Sequence, residues 1–176
     1  ETDDSLRARL QERLQEAPQG GSKADYVRWA KEVSGVTRAW CFPLEGGAGT
    51  VTVRFVRDDD ATTIIPDAAE IAAVQAHIEE VRPTTSVPTV AAPAAVPLAF
   101  TIALTPNTVA VQAAVTAELA ELIRSESYPG ATLLLSHIRA AISAAAGENN
   151  NVLTVPAADV VYTDSQIGTM GTITWA

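Results

Sequence analysis

Residues 20–43 read GGSKADYVRWAKEVSGVTRAWCFP and place a glycine pair, two tryptophans and the single cysteine of the chain in one window. Ser22 followed by Asp25 three positions later is a variant of the capping box that begins a helix. Gly35 is predicted at the C′ position after that helix, and residues 36–42 are predicted to form a strand. The glycines therefore mark helix ends, and the window predicts a joint between a helix and a strand instead of a ligand-binding loop.

The chain after this window alternates strand and helix patterns. Residues 50–57 alternate apolar and polar side chains, which predicts a strand, and the glycine-rich PLEGGAG before them predicts a hairpin connection. Asp67 and Glu70 form a D-x-x-E capping box for a helix that ends at Val81. The further predicted elements are strands at 86–92, 97–105, 152–155, 158–162 and 166–175, and helices at 108–126 and from the capping residue Ser136 to Gly147.

The predicted order of elements favours an α+β fold. Strands and helices alternate without regular β-α-β crossovers, which predicts mostly antiparallel pairing. We expect N-terminal helices followed by two small α+β lobes. The proline-rich, uncharged residues 83–97 are the predicted boundary, and the chain is expected to divide into a helical arm (1–34), a first lobe (35–95) and a second lobe (96–176).

Composition excludes several classes of function. The net charge is −9 with only 12 Lys and Arg, so no basic cluster is available to bind the phosphates of nucleic acid. The single cysteine, Cys41, cannot form an internal disulfide, and no Cys/His metal motif is present. Residues 98–104 alternate in period two within a segment broken by prolines, which excludes a membrane-spanning helix there. The first residue is Glu, so we expect a piece of a longer protein.

The first residues of the chain predict an amphipathic helix with a narrow apolar stripe. Leu6, Leu10 and Leu14 recur every four residues in a highly charged segment. Such a helix docks on a missing N-terminal part, on a neighbouring subunit or back on its own domain. We expect these three leucines to form an interface.

The candidate chemical groups predict no catalytic, cofactor-binding or metal-binding residue. His77 and His137 are the only histidines. Ser136 and His137 diverge by about 100° as neighbours on one helix, so they cannot act on one substrate. Residues 58–60, three aspartates, lack the ligand order of a calcium loop and predict a solvated acidic loop.

The opening window does not supply a ligand site either. Neither GGSK nor EGGAGT completes a phosphate-binding P-loop. Cys41, in a predicted strand beside Trp40, is expected to be a buried structural thiol. Trp29 shares a helical face with Val33, and both tryptophans are expected in the core.

Four segments, taken in order, carry a resemblance that covers nearly the whole chain. They are residues 20–43 with the following GAGTVTVRFV, then AAEIAAVQAHIEEVRPTTSVPTVAAPAAVPLAFTIALTP, PGATLLLSHIRAAISAAAGE and the closing IGTMGTITW. Together they resemble the baseplate J-like family of contractile phage tails. Family members are longer, so the resemblance implies that the chain is the C-terminal portion of one.

The resemblance implies a structural role in the tail. J-like proteins are wedge components of the baseplate, so the expected partners are other baseplate wedge and hub proteins, with self-association in the assembled baseplate and no nucleic acid or membrane. The expected location is the virion tail baseplate, assembled in the host bacterial cytoplasm. No catalytic residue or cofactor comes with the resemblance, so we do not expect an enzyme.

Two other functions stay open beside this one, a baseplate-associated small hydrolase and a receptor-binding module. A pocket that holds His137 with a carboxylate and a serine from another element would favour the hydrolase. The aromatic content of only 5% argues against a receptor module that stacks on sugars.

Overall fold

A computed structural model describes residues 20–176 together with Asp3, Leu6, Arg7, Leu10 and Gln11, and all five of these early residues are helical. Residues 20–176 form four α-helices and eight β-strands in three small sheets. The chain divides into two compact units, residues 1–92 and 93–176. The predicted α+β class is confirmed, whereas the three-part division into an arm and two lobes stays a prediction.

The first unit is a three-stranded sheet with two helices. Its elements are α1 (Lys23–Glu32), β1 (Arg38–Pro43), β2 (Thr50–Val56), α2 (Ala68–Val81) and β3 (Val87–Ala91). The strand order is β1-β2-β3. β1 and β2 form the predicted antiparallel hairpin, and β2 pairs with β3 in parallel.

The β2-α2-β3 segment is a single β-α-β crossover, in a chain that was predicted to lack regular crossovers of this kind. A parallel pair needs a connection of a dozen or more residues, usually a helix. The 14-residue α2 supplies that connection. A single crossover between two short strands leaves no regular alternation in the sequence, and this is why the pattern was not recognised.

The helices of the first unit begin where the capping boxes predicted. Ser22 Oγ accepts a hydrogen bond from the backbone N–H of Asp25, and the Asp25 carboxylate accepts from the Ser22 N–H. Asp67 and Glu70 form the same reciprocal pair at the start of α2. The predicted place of Gly35 is wrong by one position, because the C-cap is Val33 and Gly35 lies two residues beyond it, with φ +89°.

The core of the first unit lies on one face of its sheet. Inward residues of β1, β2 and β3 alternate with outward ones, and α1 and α2 cover the inward face. Tyr26 and Trp29 of α1 meet edge to face with ring centroids 5.0 Å apart. The buried core residues are Tyr26, Trp29, Ala30, Ala39, Val53, Phe55, Val74, Ile78 and Val90.

The second unit contains a three-stranded sheet, a two-stranded sheet and two helices. Its elements are β4 (Ala94–Thr105), α3 (Val109–Glu126), β5 (Thr132–Leu133), α4 (Leu135–Ala144), β6 (Asn150–Val155), β7 (Val160–Val161) and β8 (Gln166–Trp175). The sheet orders are β6-β4-β8 and β5-β7. β4 is antiparallel to β6 and parallel to β8, and β5 is antiparallel to β7. Three of the five strand pairings among the described residues are therefore antiparallel.

The predicted period-two pattern of β4 builds the core of the second unit. Leu98, Phe100, Ile102 and Leu104 all point inward, where α3 and α4 cover them. Full burial of one such side chain stabilises the fold by about 1.5–3 kcal/mol. Facing them on the helices are Val111, Val115, Leu119, Ile123, Ile138 and Ile142. No helix in the described part of the chain is long and apolar enough to cross a membrane.

The start of α4 differs from the prediction. The N-cap residue is Leu134, whose side chain makes no capping hydrogen bond, and Ser136 lies inside the helix. The first free N–H of the helix, on Leu135, instead donates to Asp159 Oδ1 at 2.8 Å. The cap comes from a residue 24 positions away, so a local capping rule could not identify it.

Candidate functional site

The apolar stripe of the first residues is exposed where the structure describes it. Leu6 and Leu10 are helical, and 50% and 56% of their surfaces are exposed. Leu14 lies outside the described residues. The assignment of the three leucines to an interface therefore stays a prediction.

The two histidines each contact a glutamate on a neighbouring helix. His77 Nε2 lies 2.9 Å from Glu32 Oε2 and links α2 to α1. His137 Nδ1 lies 2.7 Å from Glu126 Oε2 and links α4 to α3. Both pairs are partly exposed to solvent. The histidines thus bridge helices within a unit.

His137 also lines an open groove between α3 and α4. The groove meets two of the conditions for the hydrolase alternative, since it holds His137 and a carboxylate. The third condition, a serine from another element, is not met, because no residue in its described lining carries a hydroxyl or thiol. The lining residues are Glu118, Leu122, Glu126, His137, Ala140, Ala141 and Ala144.

In the acidic loop after β2, residues 58–60, Asp58 is held by hydrogen bonds to residues of another segment. Asp58 accepts hydrogen bonds from Arg38 Nε and Nη2 at 2.8 and 2.7 Å and from the Thr37 hydroxyl at 2.6 Å. Its side chain is nearly buried, so the prediction of a solvated loop is wrong for Asp58. The long-range partner Arg38, on β1, could not be read from the local sequence.

Asp60 stays exposed and closes the turn of this loop. Its Oδ1 accepts from the backbone N–H groups of Thr62 and Thr63, and these bonds hold the pKa of Asp60 below its usual range. Among the described residues, no group of three or more His, Cys, Asp and Glu side chains could hold a metal ion.

The cysteine and one tryptophan occupy the predicted interior. Cys41 packs partly buried against the core of the first unit, and burial raises the pKa of its thiol to about 11. A protonated thiol is a weak nucleophile, so this environment does not activate Cys41. Trp29 is a core residue, as predicted.

The prediction that Trp40 lies in the core is wrong. Alternation along β1 directs Ala39 and Cys41 toward the helices, so Trp40 points to the opposite face of the sheet. There it is half-buried, and the guanidinium carbon of Arg38 lies 5.4 Å from its ring centroid. The period-two pattern of β1 was the signal that could have placed Trp40 on this face.

Trp40 belongs to a surface that we call the guanidinium–aromatic face, formed by Arg38, Trp40, Phe42 and Arg54. Arg54 is only 7% exposed, and its guanidinium carbon lies 5.1 Å from the Phe42 ring centroid. Glu45 binds Arg54 through two hydrogen bonds of 2.7 and 2.8 Å, and these bonds lower the pKa of Glu45.

Arg38, Trp40 and Phe42 are the partly exposed members of this face, and their residue types suit protein recognition. Arginine and aromatic residues are enriched at protein interfaces and supply much of the binding energy there. Each guanidinium is held by a carboxylate and a ring, so little side-chain entropy is left to lose on binding. This face is built by neighbours across two strands, so local sequence patterns do not reveal it.

The sheet of the second unit also presents a face opposite its helices. The residues of β4 on that face are Ala99, Thr101 and Ala103, and the neighbouring β6 adds the exposed Val152 and Val155. This surface carries no charged side chain, and we call it the uncharged sheet face.

Two family models match the chain in succession. The baseplate J-like central domain matches residues 18–92, and the baseplate J-like protein C-terminal domain matches residues 98–176. These matches correspond to the two compact units.

Similar proteins come from phages and bacterial genomes. The Mu-like prophage FluMu protein gp47 of Haemophilus influenzae is 42% identical over 97% of this chain and 50% of its own length. The baseplate protein gp47 of Escherichia phage Mu is 37% identical over the same shares. The putative protein JayE of Escherichia coli is 39% identical over 98% of this chain and 65% of its own length. The chain thus spans about half to two thirds of these relatives.

Proposed function

The chain belongs to the baseplate J-like family, and from this premise we propose that it is a structural module of a contractile-tail baseplate wedge. The observation that carries the proposal is the ordered match of both units to the central and C-terminal domains of one baseplate family. The relative from phage Mu is itself named a baseplate protein. The module acts by binding other proteins, without chemistry of its own.

The surfaces of the two units support a role in assembly. Each unit uses one sheet face for its core, and the opposite faces carry the guanidinium–aromatic face and the uncharged sheet face. Surfaces of this composition are buried in protein interfaces. The partners in this proposal are other wedge and hub proteins of the baseplate, in the virion tail, with assembly in the host cytoplasm.

The exposed stripe of Leu6 and Leu10, continued in sequence by Leu14, is the proposed contact of the arm with another module of the assembly. An exposed apolar stripe on a helix is suited to a groove on a partner. Its neighbours in the sequence are charged, which keeps the free arm soluble.

The proposal is tested in a phage or prophage that encodes the full-length protein. Deletion of the gene is expected to stop baseplate assembly, and electron microscopy of lysates would show tails without complete baseplates. Expression of the full-length gene in trans is the matched control and should restore them. Complete baseplates in the deletion strain would overturn the proposal.

The small hydrolase is a weaker candidate. One observation favours it, the pair of His137 and Glu126 in the groove between α3 and α4. Nucleophilic catalysis also needs an activated hydroxyl or thiol within hydrogen-bond reach of the histidine, and the described lining of the groove offers none. His137→Ala should therefore leave baseplate assembly and host infection unchanged.

A further inference from the structure

The edge strand β8 has neither a proline nor a charged side chain, two of the features that usually prevent edge strands from pairing. Natural edge strands are blunted by prolines, charged side chains, bulges or short length. β8 is ten residues long, QIGTMGTITW, without a proline or a charge. In the described part of the chain it pairs only with β4.

The other edge strands show the contrast. β1 contains Arg38 and Pro43, and β3 contains Pro88. β6 and β8 each have a register shift opposite β4, but β6 is followed directly by Pro156. Among the edge strands of the two three-stranded sheets, β8 is therefore the one with neither a proline nor a charge in it or directly after it.

In the first half of β8, a side chain already forms hydrogen bonds with the backbone groups at the free edge. The Gly168 N–H donates to Ser127 Oγ at 2.7 Å, and the Ser127 hydroxyl donates to the Gly168 carbonyl at 3.2 Å. A register shift in β8 follows, since Leu98 is opposite Met170 but Phe100 is opposite Ile173. The regular part of the edge beyond this shift comprises residues 172–176.

The backbone of this part presents hydrogen-bonding groups outward. The Ala176 N–H donates to the Ile102 carbonyl of β4 at 3.0 Å, so Ala176 faces β4. Successive residues of a strand direct their N–H and C=O groups to alternate sides. Ile173 and Trp175 therefore direct theirs away from β4, toward the free edge.

We propose that β8 pairs antiparallel with β8 of a second copy of this chain, about a two-fold axis at Thr174. In this register Ile173 is opposite Trp175 of the second copy, and the outward N–H and C=O groups of both residues are satisfied. A two-fold contact of this kind uses the same surface on both subunits. It joins two three-stranded sheets into one of six strands.

The side chains match in the same register. Ile173 and Trp175 pack on the helix-covered face of the sheet, so each two-fold related pair is a β-branched residue beside an aromatic ring. The two Thr174 side chains meet on the opposite face. Aromatic–β-branched and Thr–Thr pairs both stabilise antiparallel neighbours.

Charge favours a second copy at this place. The chain has a net charge of −9, so two copies repel each other over most of their surfaces. β8 carries no charge, and neither do the adjoining residues of the uncharged sheet face. This edge is a place where two acidic copies can meet without like charges opposite each other.

The proposal goes beyond the baseplate function and is tested without it, by sedimentation velocity of the 176-residue chain over a concentration series. Wild type should show a reversible monomer–dimer equilibrium. Thr174→Lys places two ammonium groups at the two-fold axis and should raise the dissociation constant at least about tenfold. The matched control, Thr154→Lys, makes the same change on the opposite edge strand β6 and should leave the constant unchanged.

Mixing two charge variants tests the two-fold axis itself. Thr174→Lys and Thr174→Glu should each be monomeric alone, and an equimolar mixture should dimerise, because opposite charges then face each other. A wild type that stays monomeric throughout the series would overturn the proposal. Equal weakening by Thr154→Lys, or no rescue in the mixture, would overturn it as well.

A disulfide test reports the register directly. Cys41 is the single cysteine, so Cys41→Ser provides a cysteine-free background. In the proposed pairing the two Thr174 Cα atoms form a non-hydrogen-bonded pair about 4.5 Å apart, within the range of about 4.4–6.8 Å for disulfides. Thr174→Cys should oxidise to a covalent dimer, and Thr154→Cys should not. Similar cross-linking of both variants would contradict the register.

Discussion

Gly168 in β8 has no side chain because two buried hydroxyl groups occupy the space that a Cβ would fill. A Cβ there would lie 2.3 Å from Tyr162 Oη and 2.8 Å from Ser127 Oγ. Tyr162 and Ser127 are both buried, so neither can move into solvent. Gly168→Ala should lower the free energy of unfolding by about 1–3 kcal/mol, measured by urea denaturation.

A second substitution tests whether the Tyr162 hydroxyl causes the loss of stability in Gly168→Ala. Tyr162 Oη is buried and has no hydrogen-bond partner among the described residues, so Tyr162→Phe should change stability by less than about 0.5 kcal/mol. It also removes the atom nearest to the new Cβ. Gly168→Ala should therefore be less destabilising in the Tyr162→Phe background. Equal losses in both backgrounds would show that the hydroxyl is not the cause, since phenylalanine keeps the Cζ atom that the new Cβ would meet at 2.6 Å.

The thiol of Cys41 is expected to make the stability of the first unit fall at alkaline pH. Burial raises its pKa from 9.0 to about 11. Between these values the unfolded chain releases the thiol proton while the folded chain keeps it. The unfolded state then binds fewer protons, so stability falls as pH rises from 9 toward 11.

The comparison with Cys41→Ala isolates this contribution from other groups that titrate in alkali. Urea denaturation at pH 9 and pH 11, the limits set by the thiol pKa, should show a smaller loss of stability for Cys41→Ala than for wild type. Identical losses in the two proteins would mean that the thiol does not contribute to the alkaline dependence.

At the scale of elements, α4 depends on a cap from outside its own sequence. Removal of a side-chain cap costs about 0.5–2 kcal/mol. Asp159→Ala leaves the Leu135 N–H without its acceptor, and we expect a loss near the lower end because the bond is exposed. Asp159→Asn keeps an oxygen acceptor and should cost less. Amide hydrogen exchange should be faster at Leu135 in the alanine variant, and unchanged exchange would contradict this cap.

The part of the arm that precedes α1, residues 1–19, is expected to be dispensable for folding. The α1 capping box is complete within residues 21–25, so a chain that starts at residue 20 retains it. Deletion of residues 1–19 should leave a folded core, seen by circular dichroism, but should impair baseplate assembly by the full-length protein. Loss of the folded core would defeat the idea of an interaction arm.

Substitutions in the intact arm test whether assembly needs the apolar side chains themselves or only the presence of the segment. Changing Leu6, Leu10 and Leu14 together to Ala keeps the helix propensity and should impair assembly as the deletion does. Leu44→Ala alters another exposed leucine, in the turn before β2, and serves as the control. Assembly that tolerates the triple substitution would show that the stripe is not the contact.

Local rules predicted most elements because their signals lie within the elements. The α2 capping box and the alternation of β4 needed no distant residue. The α4 cap and the parallel pairing of β2 with β3 depend on residues far apart in sequence, and local patterns do not contain them. The short β5, of two residues, exists only through its pairing with β7, so no local pattern predicts it.

At the scale of the whole molecule, the family was predictable and the surfaces were not. The ordered segments carried the family resemblance, which the two family models confirm. The guanidinium–aromatic face depends on Arg54 of β2 meeting Phe42 of β1 across the hairpin. A register error of one residue would have put these side chains on the other face. Surfaces built by cross-strand neighbours therefore require the structure.

The two units should each fold alone, because each has its own buried core. The cores share no residue, with Phe55 and Ile78 in one and Phe100 and Ile138 in the other. A compact unit with its own core is expected to be an independent domain. Fragments 20–92 and 93–176 should each unfold cooperatively in urea.

A cut inside a unit is the matched control for this separation. A break between Gly130 and Ala131 divides α3 from α4, although both cover the same core. The piece 93–130 would expose Leu98, Phe100 and Ile102 to water, and the lost burial of each costs about 1.5–3 kcal/mol, enough to exceed the margin of a small domain. This piece should therefore show no cooperative transition. A fragment 20–92 or 93–176 that behaved in the same way would mean that the unit needs the rest of the chain to fold.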